Sequence, residues 1–157
     1  MTFAHRCKQL TLGLALIGLA FEASAQTTVN DAWVRATVAG QPSTGAFMTL
    51  QASDDSQLLS VQSPIANLVQ IHESSMKDDV MSMHQVDAVA LPAGKTVSLD
   101  PHGYHVMLLD LKTQVKEGET VPLTLVVKNA KGEQQSIQVE AKVKALDGMM
   151  MDHSKMH

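Results

Sequence analysis

The chain has 157 residues, 45% of them hydrophobic, enough for one ordinary core and a single domain. Its formal net charge is −4, and about −5 once Arg6, Lys8 and Glu22 are set aside with the leader described below, which argues against nucleic acid as a partner. It has only one Trp, one Tyr and three Phe but ten Met, and its single cysteine, Cys7, lies in that leader.

Arg6 and Lys8 precede an apolar run over residues 10–21, and Ala23-Ser24-Ala25 supplies the small residues that a signal peptidase needs. The run is about a dozen residues, short of the roughly 20 of a membrane span. Residues 1–25 therefore read as a secretory signal peptide cleaved after Ala25, with no stable membrane insertion after its removal. A lipoprotein would carry its cysteine just after the apolar run, whereas Cys7 lies before it. Without Cys7 the mature chain has no thiol, which excludes disulfides, cysteine nucleophiles, thiol redox chemistry and the Cys-ligated copper site of blue-copper electron carriers.

From Thr27 onward the apolar residues recur with period two. Strands are predicted over residues 32–38, 45–50, 58–61, 68–72, 80–86, 96–99, 104–111, 121–127 and 136–143. The breaks at residues 40–43, 54–55, 91–94, 100–103 and 129–132 are rich in Gly, Pro, Asn and Asp, and the last of them closes a final hairpin. Many short strands at regular spacing, with no long amphipathic helix and no repeat, predict an all-β sandwich over residues 26–146. Trp33 and Met48 are assigned to its core. From residue 147 the character changes, and residues 147–157 read as a separate tail.

The chemistry concentrates in one pattern. Ten residues separate His72 from Met83, twenty-one separate Met83 from His105, and Met107 follows His105 after one. Alternation along a strand makes His105 and Met107 project together, and likewise Met81 and Met83. Two imidazoles and two thioethers form a neutral, partly soft donor set, which selects Cu(I) over hard cations. Thioethers need no deprotonation, whereas each imidazole competes with protons near a pKa of about 6.5. Taken singly, a Met is more often a core filler and a His a satisfied strand-end residue. Together, four such residues at a specified spacing arise by chance on the order of one time in a thousand.

At these residues the chain resembles the periplasmic copper chaperones called PCu(A)C, whose signature is His, ten residues, Met, twenty-one residues, His-x-Met. All four positions match, and the likeness extends to Asp31-Ala32-Trp33-Val34-Arg35, Ala46-Phe47-Met48 and Pro101-His102-Gly103-Tyr104-His105-Val106-Met107. The resemblance implies a cupredoxin-like Greek-key β-sandwich, a periplasmic location and a solvent-near Cu(I) site formed by His72, Met83, His105 and Met107. It also implies delivery of copper to a haem-copper (cytochrome c) oxidase, with an oxidase subunit or a Sco-type assembly protein as acceptor.

The tail holds a second group of donors, Met149, Met150, Met151, His153, Met156 and His157, able to take Cu(I) through sulfur or Cu(II) through imidazole and oxygen. His84 is out of phase with Met83 and His102 lies in a turn, so both are assigned to the surface. Met76 and Met81 either extend a Met patch beside Met83 or pack half-buried. No Ser/His/Asp arrangement, carboxylate pair or phosphate-binding Gly loop can be picked out, so no enzyme is expected. The alternative to delivery is copper sequestration without a dedicated acceptor.

Overall fold

The computed structural model describes residues 26–145. The predicted signal peptide and cleavage point at residues 1–25, and the tail donors Met149, Met150, Met151, His153, Met156 and His157, lie outside the described residues. Ten strands are formed: β1 (Thr27–Arg35), β2 (Ser43–Ala52), β3 (Ser56–Gln62), β4 (Ala66–Lys77), β5 (Val80–Val86), β6 (Val89–Leu91), β7 (Thr96–Leu99), β8 (Tyr104–Leu111), β9 (Thr120–Asn129) and β10 (Gln134–Lys144). The described residues contain no helix. The all-β, cupredoxin-like class expected from the sequence is the class observed.

Each predicted run lies on a strand, with three differences. β6 is not among the predicted strands, and only its Leu91 falls in a predicted break; its three residues give only one alternation, Val89 and Leu91 inward and Ala90 outward, too brief for a periodic signal. β1 ends at Arg35 rather than at residue 38, because Thr37 leaves the ladder to exchange hydrogen bonds with Val115. β4 continues past residue 72 to Lys77, where Asp78 and Asp79, both at positive φ, turn the chain into β5. Two left-handed residues between directly paired strand ends match the twist of a tight hairpin, and Asp tolerates that conformation better than most residues.

Neighbouring strands follow the order β5-β4-β8-β2-β1-β10-β9-β3-β6, with β7 also pairing β2. All pairings are antiparallel except β1 with β10, which run parallel over Trp33–Arg35 and Lys142–Lys144. The first half of β2 pairs β8 and the second half β7, so β2 links two parts of the sheet. The inner faces of the two halves meet in one core: Val34, Ala46, Leu50, Ile71, Val106 and Leu108 from one side, Leu58, Leu91, Leu123, Leu125 and Val143 from the other. Met48 belongs to this core as expected.

Trp33 does not. It is half-buried on the outer face, stacked on Phe47 at 4.6 Å between ring centroids, with the Lys144 ammonium 5.3 Å over its ring. The irregularity in β1 between Asn30 and Trp33, where Asp31 takes a positive φ, accompanies this orientation. Val34 rather than Trp33 then points into the core.

The candidate metal centre

The strand register positions the candidate ligands. Ile71 pairs with Val106 and Ala46 with Val106, and all three are buried in the core. One residue along, on the opposite face, His72 pairs with His105, Gly45 and Gln70 both lie opposite Met107, and Ser74 lies opposite Met83. Residues paired across a ladder share a face, so sequence positions 72, 83, 105 and 107 come to one side of a four-strand stretch, β5-β4-β8-β2.

β8 starts from a turn that holds itself: the Asp100 carboxylate accepts from the His102 backbone N–H at 2.8 Å, and Asp100 N–H donates to the Tyr104 carbonyl at 2.8 Å. The carbonyl of Gly103 accepts from the Ser74 backbone N–H at 3.0 Å and lies 3.1 Å from His105 Nδ1. A carbonyl can only accept, so Nδ1 carries the hydrogen and Nε2 keeps the lone pair. His105 is 4% exposed. Its ring is thus held in one tautomer by the backbone, the arrangement that orients a metal-binding imidazole.

His72 stands opposite, with ring centroids 6.0 Å apart and planes at 59°. Its Nε2 is 2.9 Å from the Gln70 side-chain oxygen, which makes Nε2 the donor and leaves Nδ1 with the lone pair. That Nδ1 is buried and has no hydrogen-bond partner among the described residues. Burial first, then the neighbouring His105 and His84, push the His72 pKa below its ordinary value. A neutral imidazole with an unused lone pair has the chemistry to coordinate a metal ion.

Met83, His105 and Met107 line one cavity of about 290 Å³, together with Ser74, Met81 and Phe47. His72 faces His105 beside this cavity but does not line it. Gly45 gives the cavity its β2 wall, since a Cβ there would meet the Phe47 ring at 2.7 Å. The Arg35 guanidinium lies 5.5 Å from the centroid of the same Phe47 ring. Two larger cavities, about 380 Å³ beside Asp55 and Asn129 and about 430 Å³ beside Asp31 and Lys142, contain neither His nor Met.

Among the described residues no three His, Cys, Asp or Glu side chains are grouped to hold a metal. The two imidazoles, with the thioethers of Met83 and Met107 beside His105, make a neutral, partly soft donor set, which suits a soft ion of low coordination number. The donor set present fits such an ion. Met83 is 57% exposed, and Met76 and Met81, paired across the β4–β5 hairpin, are similarly open, so the Met patch is an exposed one and the half-buried alternative is not realised. His84 lies on the surface, 3.3 Å from Glu73, and His102 is exposed. Ser74 escaped sequence reasoning because its shared face with His72 appears only once β4 is known to run on to Lys77, and Gln70, inside the predicted strand at 68–72, because an amide side chain is not a metal donor of the kind sought.

Residues 27–143 match the family described as "Putative lipoprotein LpqE-like". A protein of Leifsonia xyli subsp. xyli named "Putative lipoprotein Lxx21020" is 32% identical over 127 residues, covering 74% of this chain and 75% of that protein. Among solved structures, the copper-bound PCuAC domain from PmoF2 is similar at 26% identity and a TM-score of 0.60, over 76% of this chain and 92% of that domain. CuI-DR1885 from Deinococcus radiodurans is similar at 32% identity and a TM-score of 0.57, over 78% of this chain and 81% of its own. With the match spanning nearly every described strand, the chain belongs to the LpqE-like family, and its structural neighbours are PCuAC domains.

Proposed function

We propose that this protein is a copper carrier that takes Cu(I) as cargo through His72, Met83, His105 and Met107 and hands it to an acceptor. The observation that carries this reading is the register, which sets His72 against His105 and gathers Met83, His105 and Met107 around one cavity. Its support from outside the chain is the likeness to the copper-bound PmoF2 domain and to CuI-DR1885, both above 25% identity. Neutral donors hold a monovalent ion without the thiolate that would make release difficult. The exposure of Met83 leaves the ion a way out, which favours delivery over sequestration.

The reading extends to parts of the chain outside the described residues. Residues 1–25 direct export to the periplasm and are cleaved after Ala25; the lipoprotein names borne by the family and the Leifsonia protein support export, whereas the cleavage point rests on Ala23-Ser24-Ala25 and on Cys7 lying ahead of the apolar run. Intact-mass measurement of the exported protein checks this: a chain starting at Gln26 is expected, and one that retains a modified Cys7 would overturn it. The tail donors Met149, Met150, Met151, His153, Met156 and His157 form an auxiliary copper site, and deletion of residues 147–157 lowers copper stoichiometry without loss of the main site. The acceptor is a copper centre of a haem-copper oxidase, reached directly or through a Sco-type assembly protein.

The decisive experiment is an anaerobic Cu(I) titration against a competing chromophoric chelator, comparing the exported protein with a His105→Ala, Met107→Leu double variant. Tight binding that the variant loses is expected, and weak or variant-insensitive binding would return these residues to a packing role. For delivery, a strain without the gene should show low oxidase activity rescued by added copper. Copper sensitivity with normal oxidase activity would favour sequestration.

A further inference from the structure

Among the described residues two buried side-chain atoms have no hydrogen-bond partner, His72 Nδ1 and Ser74 Oγ, and both belong to β4 on the face of the candidate ligands. His72 Nδ1 is accounted for if it is a ligand. The Ser74 hydroxyl is not, because a hard, neutral oxygen adds little to a soft ion held by sulfur and imidazole. Ser74 is 9% exposed, and its backbone N–H is bound to the Gly103 carbonyl, so its position is fixed while its hydroxyl is idle. An idle buried hydroxyl destabilises the fold relative to alanine. Its neighbour Ser75 behaves in the ordinary way, pairing with the Ser82 hydroxyl at 3.0 Å across the same two strands.

The side chain directly opposite Ser74 is Met83, and both line the cavity. Side chains opposed in this way have Cβ atoms about 4.5–5.5 Å apart, within reach of a hydroxyl rotor and a three-bond thioether. Met83 is also the most exposed of the four proposed ligands, on a strand at the edge of the sheet, where little else restrains it. We propose that Ser74 is a positioning residue for Met83, donating its O–H to one lone pair of the thioether sulfur when Met83 folds over the cavity and leaving the other lone pair for the cargo ion. The inference rests on the copper-carrier reading and adds to it the device that recruits its loosest ligand.

The test compares Ser74→Ala, Ser74→Thr, Met83→Leu and the Ser74→Ala, Met83→Leu double variant in the full exported chain. Ser74→Ala should leave the melting temperature of the copper-free protein unchanged or higher, yet weaken Cu(I) binding about three- to tenfold, the worth of one neutral hydrogen bond. Ser74→Thr, which keeps the hydroxyl, should restore the affinity. In the Met83→Leu background the Ser74→Ala change should add nothing, because the acceptor sulfur is gone. In Cu(I)-loaded protein carrying ¹³C-methyl methionine, the Met83 methyl signal should move toward its motionally averaged position on Ser74→Ala. Undiminished affinity in Ser74→Ala, or a loss that persists in full without Met83, would overturn the role of Ser74 while leaving the carrier reading in place. Absence of Cu(I) binding by the wild-type chain would instead overturn both.

Discussion

β8 and β5 each contribute to the proposed site, and they do so under opposite conditions. β8 lies between β4 and β2, hydrogen-bonded on both sides, and its His105 is buried with one ring nitrogen held by Gly103. Among the described residues β5 is the last strand of the sheet, bonded only to β4, and its Met81 and Met83 stand more than half exposed. On the carrier reading proposed above, the difference gives one sheet the means to hold a cargo ion specifically and yet release it. The central strand supplies donors with fixed direction, where a buried imidazole cannot turn away. The edge strand supplies a flexible, uncharged donor that can arrive with the ion and leave with it.

The largest effect should come from the fixed half. His105→Ala is expected to lower Cu(I) affinity by more than about a hundredfold, since loss of even an outer partner of a ligand costs about 10–100-fold. A chelator competition assay reads this directly, and a loss no greater than that of Met83→Leu would erase the distinction between the two strands. Met107→Leu and Met83→Leu come next. Each should weaken Cu(I) binding about tenfold or more by removing sulfur while keeping apolar volume, and neither should cost more than about 1.5 kcal/mol in urea unfolding. Of the two, the exposed Met83 should show no measurable stability change, so a larger cost there than at Met107 would contradict the picture of a loose edge ligand.

A smaller, pH-dependent effect belongs to His72. Its pKa lies below the ordinary value because burial, and then His105 and His84, oppose the charged form. The unfolded chain takes up a proton near pH 6.5 while the folded chain resists, so stability is fully present above about 6.5 and falls as the pH drops through the lower folded pKa. His72→Gln should flatten that part of the stability profile, and an unchanged slope would show that other groups set it. The smallest effect is expected at His84, whose exposed contact with Glu73 contributes at most about 1 kcal/mol. His84→Gln should leave copper affinity within about twofold, whereas a loss comparable with Met83→Leu would place His84 in the site.

Much of this molecule was legible in one dimension, for reasons particular residues show. The strand at 104–111 was legible because Tyr104, Val106 and Leu108 meet the same core before Asp110, at positive φ, breaks the alternation. The hairpin at Asn129 was legible because its side chain accepts from the N–H groups of Lys131 and Glu133, a local pattern written in adjacent residues. β6 and the extension of β4 were not. Val89–Leu91 becomes a strand only because Ser56–Leu58 lies beside it, and residues 73–77 are polar enough to read as a loop until β5 pairs with them. Trp33 was misplaced although Ala32, Val34 and Ala36 alternate with Trp33 and Arg35, because a large apolar side chain does not by itself say which face of a strand it packs on.

By itself the sequence determined the period-two strands, the placing of its single cysteine at residue 7 and the spacing of His72, Met83, His105 and Met107, all of them properties of residue order and side-chain chemistry. Only the tertiary structure decided that His72 meets His105 across a strand pair, that Ser74 is buried opposite Met83, and that β5 is an edge while β8 is not. Those facts depend on which strands become neighbours. Neighbourhood is settled by burying one common core, a global condition that no single segment encodes.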